Sequence, residues 1–185
     1  MLFFYIIMCY FIGNLLIGLF INNYKHLNVR ESGSGNPGAR NMARIAGKRT
    51  AIFTFFGDAL KGTLSVFLGY WFFSELSLSL IGLFAVVLGH IYPIIFRFKG
   101  GKGISTFIGG ILFIEPLSAI MILAMFSLFY LIKQSFTLAG LFSLWSLPFF
   151  LYFFNGLSLI ELITLCLILF LITCAHLKDL KKELR

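Results

Sequence analysis

Two stretches of the sequence combine glycine with basic and amide side chains, a composition suited to binding phosphate. The first runs ESGSGNPGARNMAR over residues 31–44, and we call it the first loop. Successive glycines free backbone N–H groups to point into one concavity that can hold an anion. Ser34, Asn36 and Asn41 would add neutral donors, while Arg40 and Arg44 would add forked cations that match phosphate oxygens. The alternative is a flexible linker between two membrane spans.

The second stretch runs GHIYPIIFRFKGGKGIST over residues 89–106 and places two lysines among three glycines. We call its KGGKG part, residues 99–103, the second loop. A helix predicted to begin at Ile104 leaves its first backbone N–H groups unpaired, and its dipole favours negative charge at that end. Lys99 and Lys102 beside such a helix end predict a second phosphate site. The alternative is an ordinary basic flank of a membrane span.

Four further ionisable residues lie inside apolar segments or at their ends. Asp58 and Lys61 are three residues apart and therefore share one face of a helix. Charges within a membrane span are expensive and are usually paired or functional, so a structural ion pair and a functional one both stay open. His90 and His176 fall near span ends, at the same predicted depth as the two loops. Each histidine is either structural or a candidate for proton transfer.

The composition shows which solvent surrounds these residues. The chain is 59% hydrophobic and only 12% charged, with a mean hydropathy of +0.97. A soluble domain has about twice that share of charged residues, so the bilayer is the expected surrounding. The net charge of +8 does not indicate nucleic-acid binding, because the basic residues sit in short connectors between apolar runs. Cys9, Cys166 and Cys174 lie within apolar runs and form no metal-ligand or disulfide pattern.

Apolar runs of sufficient length predict the helices that position the two loops, since a span needs roughly 20 residues. The stretch 104–132 would be about 43 Å long as one helix, which is too long for the hydrocarbon core. Glu115-Pro116 divides it, because proline disfavours helix at the residue before it and favours a new helix start. The seven predicted helices are Leu2–Ile21, Ala51–Phe73, Leu78–Phe96, Ile104–Ile114, Pro116–Ile132, Phe136–Phe154 and Leu157–Ala175.

Charge placement predicts the orientation of these seven helices. With seven helices, every lysine and arginine except Lys61 falls on one side of the membrane, and the charged residues on the opposite side are all acidic. Basic residues concentrate on the cytoplasmic side of membrane proteins. The prediction is therefore an all-α integral membrane protein, a single domain over residues 1–185, with its N-terminus outside and its C-terminus in the cytoplasm.

These motifs follow one another in a recognisable order. The first loop holds Gly33-Ser-Gly-Asn-Pro-Gly-Ala-Arg-Asn41, and Asp58-x-x-Lys-Gly62 follows it. Gly89-His-x-Tyr-Pro93 and Phe98-Lys-Gly-Gly-Lys-Gly-Ile-Ser-Thr106 come next. Over nearly the whole chain, the set resembles the PlsY family of bacterial acyl-phosphate:glycerol-3-phosphate acyltransferases.

The resemblance implies an enzyme with its active site on the cytoplasmic face of the bacterial inner membrane. Such an enzyme transfers a fatty acyl group from acyl phosphate to the 1-hydroxyl of sn-glycerol 3-phosphate. The product is lysophosphatidate for phospholipid biosynthesis. The expected partners are the two substrates, the lipid bilayer and a complex with other enzymes of phospholipid synthesis. No cofactor, metal or nucleic acid is expected.

The resemblance also implies roles for individual residues. His90 or His176 would take the hydroxyl proton, with a substrate phosphate oxygen as an equal alternative. The expected catalytic residues are Ser34, His90, His176 and Asp179. The expected residues for binding substrate or phosphate are Gly35, Asn36, Arg40, Asn41, Arg44, Lys61, Lys99, Gly100, Gly101, Lys102, Gly103, Thr137 and Lys182.

The chain departs from the family pattern at several of these positions. Arg40 stands where the family has threonine, while Thr137 and Gly140 correspond to its paired serines. In the C-terminal tail, residues 176–182, Asp179 replaces an asparagine and Lys182 replaces an arginine. The altered tail leaves a second function open, that of a non-catalytic binder or transporter of phosphorylated metabolites.

Overall fold

A computed structural model describes residues 1–183, apart from the side chain of Lys182, and within that part the chain is all-α. The predictions for the Lys182 side chain and for Arg185 therefore lie outside the described residues. The helices are α1 (Leu2–Gly13), α2 (Ile17–Tyr24), α3 (Ala39–Phe73), α4 (Leu76–Ile91), α5 (Ile104–Ile114), α6 (Ser118–Lys133), α7 (Phe136–Trp145), α8 (Leu147–Asn155), α9 (Leu159–Ala175) and α10 (Leu177–Glu183), with a 3₁₀ turn at Ile94–Phe96.

Four helical segments among the described residues are long and apolar enough to cross a membrane. They are Leu2–Tyr24, Ala39–Phe73, Leu76–Phe96 and Phe136–Asn155, and α5, α6 and α9 are shorter apolar helices. Helix α5 has the bounds expected from the sequence, because Glu115 leaves the helical conformation just before Pro116. The division of residues 104–132 into two helices is thus confirmed.

Three segments predicted as continuous helices, Leu2–Ile21, Leu78–Phe96 and Phe136–Phe154, are interrupted. In the second of these, α4 ends at Ile91 and a 3₁₀ turn follows at Ile94–Phe96. Asn14, Leu15 and Leu16 separate α1 from α2, and Ser146 separates α7 from α8. At the first interruption the buried Asn14 side chain donates a 2.7 Å hydrogen bond to the Tyr10 carbonyl. The expectation of an unbroken first helix was wrong because the distant residue Lys61 donates to the carbonyls of Gly13 and Leu15 and so stabilises the interruption.

The predicted span Ala51–Phe73 is the later part of α3, which begins at Ala39. Gly38 is the N-cap of this helix, and Gly47 has a φ of 83°, so the helix bends there. The residues Arg40, Asn41 and Arg44 therefore lie on the opening turns of α3 rather than in an irregular loop. Helical spacing directs these side chains toward a common neighbourhood.

Helix α5 packs at the centre of the molecule because glycines allow its backbone to approach α3. A Cβ atom at Gly62 would overlap the carbonyl oxygen of Thr106, and a Cβ at Gly109 would overlap that of Ala59. Small residues at helix contacts are the usual means of close packing in membranes. The close contacts at Gly62 and Gly109 fix the position of α5 and, with it, the helix N-terminus at Gly103 and Ile104.

We expect Gly62→Ala to lower the thermal unfolding midpoint in detergent, because the added methyl group must push α5 away from α3. Overpacking of this kind costs about 1–3 kcal/mol. Gly140→Ala on α7 is the matched control, since a Cβ there meets no atom within 4 Å and alanine favours helix. Equal unfolding midpoints for the two variants would contradict the close α3–α5 contact.

Candidate active site

A cavity of about 730 Å³ opens among α3, α5, α6, α7 and α10 and is polar in one part and apolar in the other. The first turns of α3, the start of α5 and the tail supply the polar part. The apolar part is lined by Ile52, Phe55, Phe56, Ile108, Ile122, Phe126 and Leu144. A molecule with an anionic head and a hydrocarbon tail would match this division.

The first loop is organised around the buried side chain of Asn41. Its amide oxygen accepts a 2.8 Å hydrogen bond from the backbone N–H of Ser34, and its amide nitrogen donates to the carbonyl of Ser32 at 3.1 Å. Gly33 and Gly35 adopt positive φ values of 61° and 70°, which favour glycine. Asn41 therefore holds the loop in shape, and Ser34 and Asn36 face the cavity.

The second loop is attached to the end of α4 through its backbone. The N–H of Gly100 donates to the carbonyl of Ile91 at 3.1 Å, and the N–H of Gly101 donates to the carbonyl of His90 at 3.0 Å. Gly103, with a φ of 81°, then turns the chain into α5. The N-terminus of α5 and the Lys102 side chain consequently border the cavity together.

Lys102 forms an ion pair with Asp179 of α10 across the cavity. Partial burial raises the pKa of the Asp179 carboxyl, but the hydrogen bond and the charge of Lys102 lower that pKa by more, so its net direction is down. Arg40 lies nearby, where it donates to the Thr137 hydroxyl at 3.3 Å and stacks its guanidinium 4.3 Å from the Phe136 ring centroid. The polar part of the cavity thus holds at least two cations and one carboxylate.

His176 binds the protein backbone through one ring nitrogen and belongs to the cavity lining. Its Nδ1 lies 2.8 Å from the carbonyl oxygen of Ile172, and because a carbonyl only accepts, Nδ1 must carry the proton. Burial lowers the pKa of His176 below its ordinary value, so the imidazole is neutral at pH 7. Its Nε2 therefore has a free lone pair and can accept a proton.

His90 is engaged differently, because its Nδ1 lies 2.8 Å from the Lys61 ammonium. The ammonium can only donate, so Nδ1 accepts and the proton of neutral His90 is on Nε2, which lies against Gly101. Lys61 also contacts Asp58 at 3.1 Å and the carbonyls of Gly13 and Leu15 at 3.1 and 2.8 Å. These contacts favour a structural role for Lys61.

The cavity brings together most of the site residues expected from the sequence. Its lining includes Ser34, Asn36, Arg40, Asn41, Arg44, His90, Lys102, Gly103, Thr137, His176 and Asp179. Gly35, Lys61, Lys99, Gly100 and Gly101 lie outside this lining, and the side chain of Lys182 lies outside the described residues.

The sequence interpretation missed the apolar half of the site. Phe55 and Phe56 on α3, Ile108 on α5 and Phe126 on α6 look like ordinary lipid-facing residues in a chain with 24 phenylalanines. No spacing signal separates a side chain that faces lipid from one that faces an apolar cavity. Gly140 gave a weak signal through its departure from the family serine, and it lines the cavity.

Comparison with known sequences gives consistent matches along the chain. A family model described as glycerol-3-phosphate acyltransferase matches residues 3–185. A glycerol-3-phosphate acyltransferase 1 of Bacillus cereus is 46% identical over 149 residues, which make up 80% of this chain and 82% of the relative. A glycerol-3-phosphate acyltransferase of Alkaliphilus metalliredigens is 38% identical over 161 residues, or 83% of this chain and 82% of the relative.

Comparison with solved structures gives the same relationship. A crystal structure of PlsY, an integral membrane glycerol 3-phosphate acyltransferase in its glycerol 3-phosphate form, matches with a TM-score of 0.90 at 32% identity. The match covers 99% of this chain and 92% of that one. The lysophosphatidic acid form of PlsY matches with a TM-score of 0.89 at 31% identity, over 99% and 91% of the two chains.

The lowered pKa of His176 predicts a pH dependence of stability. The unfolded chain takes up a proton on this residue near pH 6.5, whereas the folded chain does so only at lower pH, so unfolding is favoured as the pH falls from 7 toward 5. We expect the thermal unfolding midpoint of the wild type to fall by more over this pH range than that of His176→Gln. Parallel midpoint curves for the two proteins would contradict a neutral, buried His176.

Proposed function

This chain belongs to the glycerol-3-phosphate acyltransferase family, and we propose that its cavity uses acyl phosphate as the acyl donor. It is an integral membrane acyltransferase that transfers an acyl group to glycerol 3-phosphate in phospholipid synthesis. The observation that carries the donor proposal is the division of one cavity into a cationic part and an apolar part. Family membership favours this enzyme over a transporter of phosphorylated metabolites.

The reaction needs no side-chain nucleophile, because acyl phosphate is already an activated mixed anhydride. The 1-hydroxyl oxygen of glycerol 3-phosphate attacks the acyl carbon, a new ester bond forms, and the bond from that carbon to the phosphate oxygen breaks. Inorganic phosphate leaves with the electron pair, and the product is lysophosphatidate. The protein must hold two phosphates in register and stabilise the departing one, which are tasks of positioning and electrostatics.

The two phosphates would occupy the two groups of donors that border the polar part of the cavity. Lys102 and the first backbone N–H groups of α5 form one group. Arg44, Arg40 and Ser34 form the other, on the first loop and the first turns of α3. Incoming phosphate would compete with Asp179 for Lys102, so phosphate would replace the carboxylate as the partner of Lys102.

The hydroxyl proton would pass to Nε2 of His176. Its lone pair is free because Nδ1–H is bound to the Ile172 carbonyl, and His176 belongs to the cavity lining. His90 is less suited, because Lys61 occupies its Nδ1 and the second loop covers its Nε2. A phosphate oxygen of the substrate stays the alternative acceptor, and it would lie in the same part of the cavity.

The acyl chain would lie in the apolar part of the cavity, between α3, α5, α6 and α7. Gly140 on α7 lies one helical turn beyond Thr137, at the border between the polar and apolar parts. The space beside it is open, since a Cβ at Gly140 meets no atom within 4 Å. The acyl chain would extend from the proposed reaction centre past this glycine.

The proposal also includes a single domain whose seven helical spans place the site on the cytoplasmic face of the bacterial inner membrane. Three contacts support a common face for the connectors: Arg30 with Lys99, Lys102 with Asp179, and Ser135 with Glu183. The first and second loops, the start of α7 and the tail therefore meet at one end of the bundle. Their excess of basic residues fits the cytoplasmic side. Other enzymes of phospholipid synthesis are proposed partners there.

We expect Lys102→Ala to reduce the transfer of labelled acyl groups from acyl phosphate to glycerol 3-phosphate by about 100-fold, the scale of losing one electrostatic stabiliser. Purified protein and thin-layer separation of lysophosphatidate give the measurement. Lys48→Ala is the matched control, because Lys48 is an exposed lysine of α3 outside the cavity. Wild type that forms no lysophosphatidate above the Lys102→Ala level would overturn the proposal.

Gly140→Leu tests where the acyl chain lies. The leucine side chain would enter open space in the cavity, so we expect the KM for a long-chain acyl phosphate to rise about tenfold. The KM for glycerol 3-phosphate should change less than about twofold, since Gly140 belongs to neither of the proposed groups of phosphate donors. An unchanged KM for the acyl donor, in a variant that keeps the wild-type unfolding midpoint, would show that the acyl chain binds elsewhere.

A further inference from the structure

We propose that Arg30 is a positioning residue that clamps the second loop from the side of the first loop. This inference rests on the proposed function, because the clamp would align the two groups of phosphate donors. Arg30 immediately precedes the first loop, and neither the cavity lining nor the sequence motifs include it. Its contacts nevertheless join the two loops.

The guanidinium of Arg30 reaches two successive carbonyl oxygens of the second loop. One terminal nitrogen donates to the Lys99 carbonyl, and the other lies 3.4 Å from the Gly100 carbonyl. A planar guanidinium has its donors in a rigid fork, so it can hold two adjacent acceptors at once. A lysine ammonium on a flexible stem would reach the same atoms only as a point charge.

The opposite edges of the same two peptide groups are bound to α4. The peptide between Lys99 and Gly100 presents its oxygen to Arg30 and its N–H to the Ile91 carbonyl. The next peptide presents its oxygen to Arg30 and its N–H to the His90 carbonyl. Both peptide planes are thus fixed from two sides, which removes their freedom to rotate. Lys102 and the start of α5 follow directly along the chain.

The backbone of Arg30 is itself firmly placed, so the clamp has a stable base. Val29, the residue before it, is buried at 1% exposure against Leu16 and Met42, and its N–H donates to the Asn22 side chain at 2.9 Å. The Arg30 carbonyl also lies close to Gly35 of the first loop. A shift of the first loop would therefore be transmitted to the second loop through Arg30.

The physical value of this arrangement lies in geometry more than in stability. The Arg30 side chain is exposed and its acceptors are neutral carbonyls, so its loss should leave the unfolding midpoint almost unchanged. A displacement of about 1 Å between reacting groups, however, can reduce a rate about 100-fold. Loss of the clamp should therefore lower kcat and change either KM much less.

The kinetic test compares Arg30→Met, Arg30→Lys and Arg49→Met with wild type in the lysophosphatidate assay. Arg49 is an exposed arginine of α3 outside the cavity, and its replacement controls for the lost basic charge. We expect Arg30→Met to lower kcat at least tenfold with both KM values within about threefold, and Arg30→Lys to restore only part of it. Full activity of Arg30→Lys, or an equal loss in Arg49→Met, would overturn the clamp.

Hydrogen–deuterium exchange tests the clamp without reference to activity. In Arg30→Met, the amides of Gly100 and Gly101 should exchange at least tenfold faster, while the amides of α9 should keep their wild-type rates. Unchanged exchange at both glycines would overturn the inference. A wild type that makes no lysophosphatidate would instead refute the proposed function, and the exchange result would still decide whether the clamp exists.

Discussion

Lys61 supplies hydrogen-bond donors to backbone carbonyls that a break in a membrane-embedded helix leaves without helical partners. The helix ends at Gly13 and restarts at Ile17, and water cannot satisfy the exposed groups within the bilayer. Each unsatisfied group there would cost roughly several kcal/mol. Lys61 donates to Gly13 and Leu15, Asp58 balances its charge, and the N–H of Ile17 lies near the Asp58 carboxylate. The ion pair inside the membrane is thus explained by the broken helix.

The same network extends from the break to the second loop, which borders the cavity. His90 accepts from Lys61 on one side, and its own carbonyl holds Gly101 of the second loop. The end of the broken helix also reaches this region, because the Tyr10 hydroxyl donates to the Tyr92 carbonyl at 2.8 Å. The start of α5, where one phosphate is proposed to bind, is therefore held by a continuous set of polar contacts. Packing of α5 on α3 through Gly62 secures it from the other side.

Sequence patterns predicted the features that depend on local chemistry. Glu115-Pro116 marked the end of α5, and the glycine-rich loops marked the donors that border the cavity. Sequence patterns failed where contacts with residues distant along the chain determine the role of a side chain. Asn41 resembles a ligand donor by type, yet its amide is occupied by the backbone of its own loop. Phe126 resembles a lipid-facing residue, yet it lines the cavity; an apolar side chain suits both positions, so its type does not distinguish them.

Two departures from the family pattern in the polar part of the cavity, at Asp179 and Arg40, cancel in charge. Asp179 adds one negative charge where the family has asparagine, and Arg40 adds one positive charge where it has threonine. Both residues line the same cavity, and the positive charge of Arg40 is among the influences that lower the pKa of Asp179. Asp179 is paired with Lys102, while Arg40 keeps a cation available beside Thr137. The net charge that these two positions give the cavity is therefore unchanged although the individual residues differ.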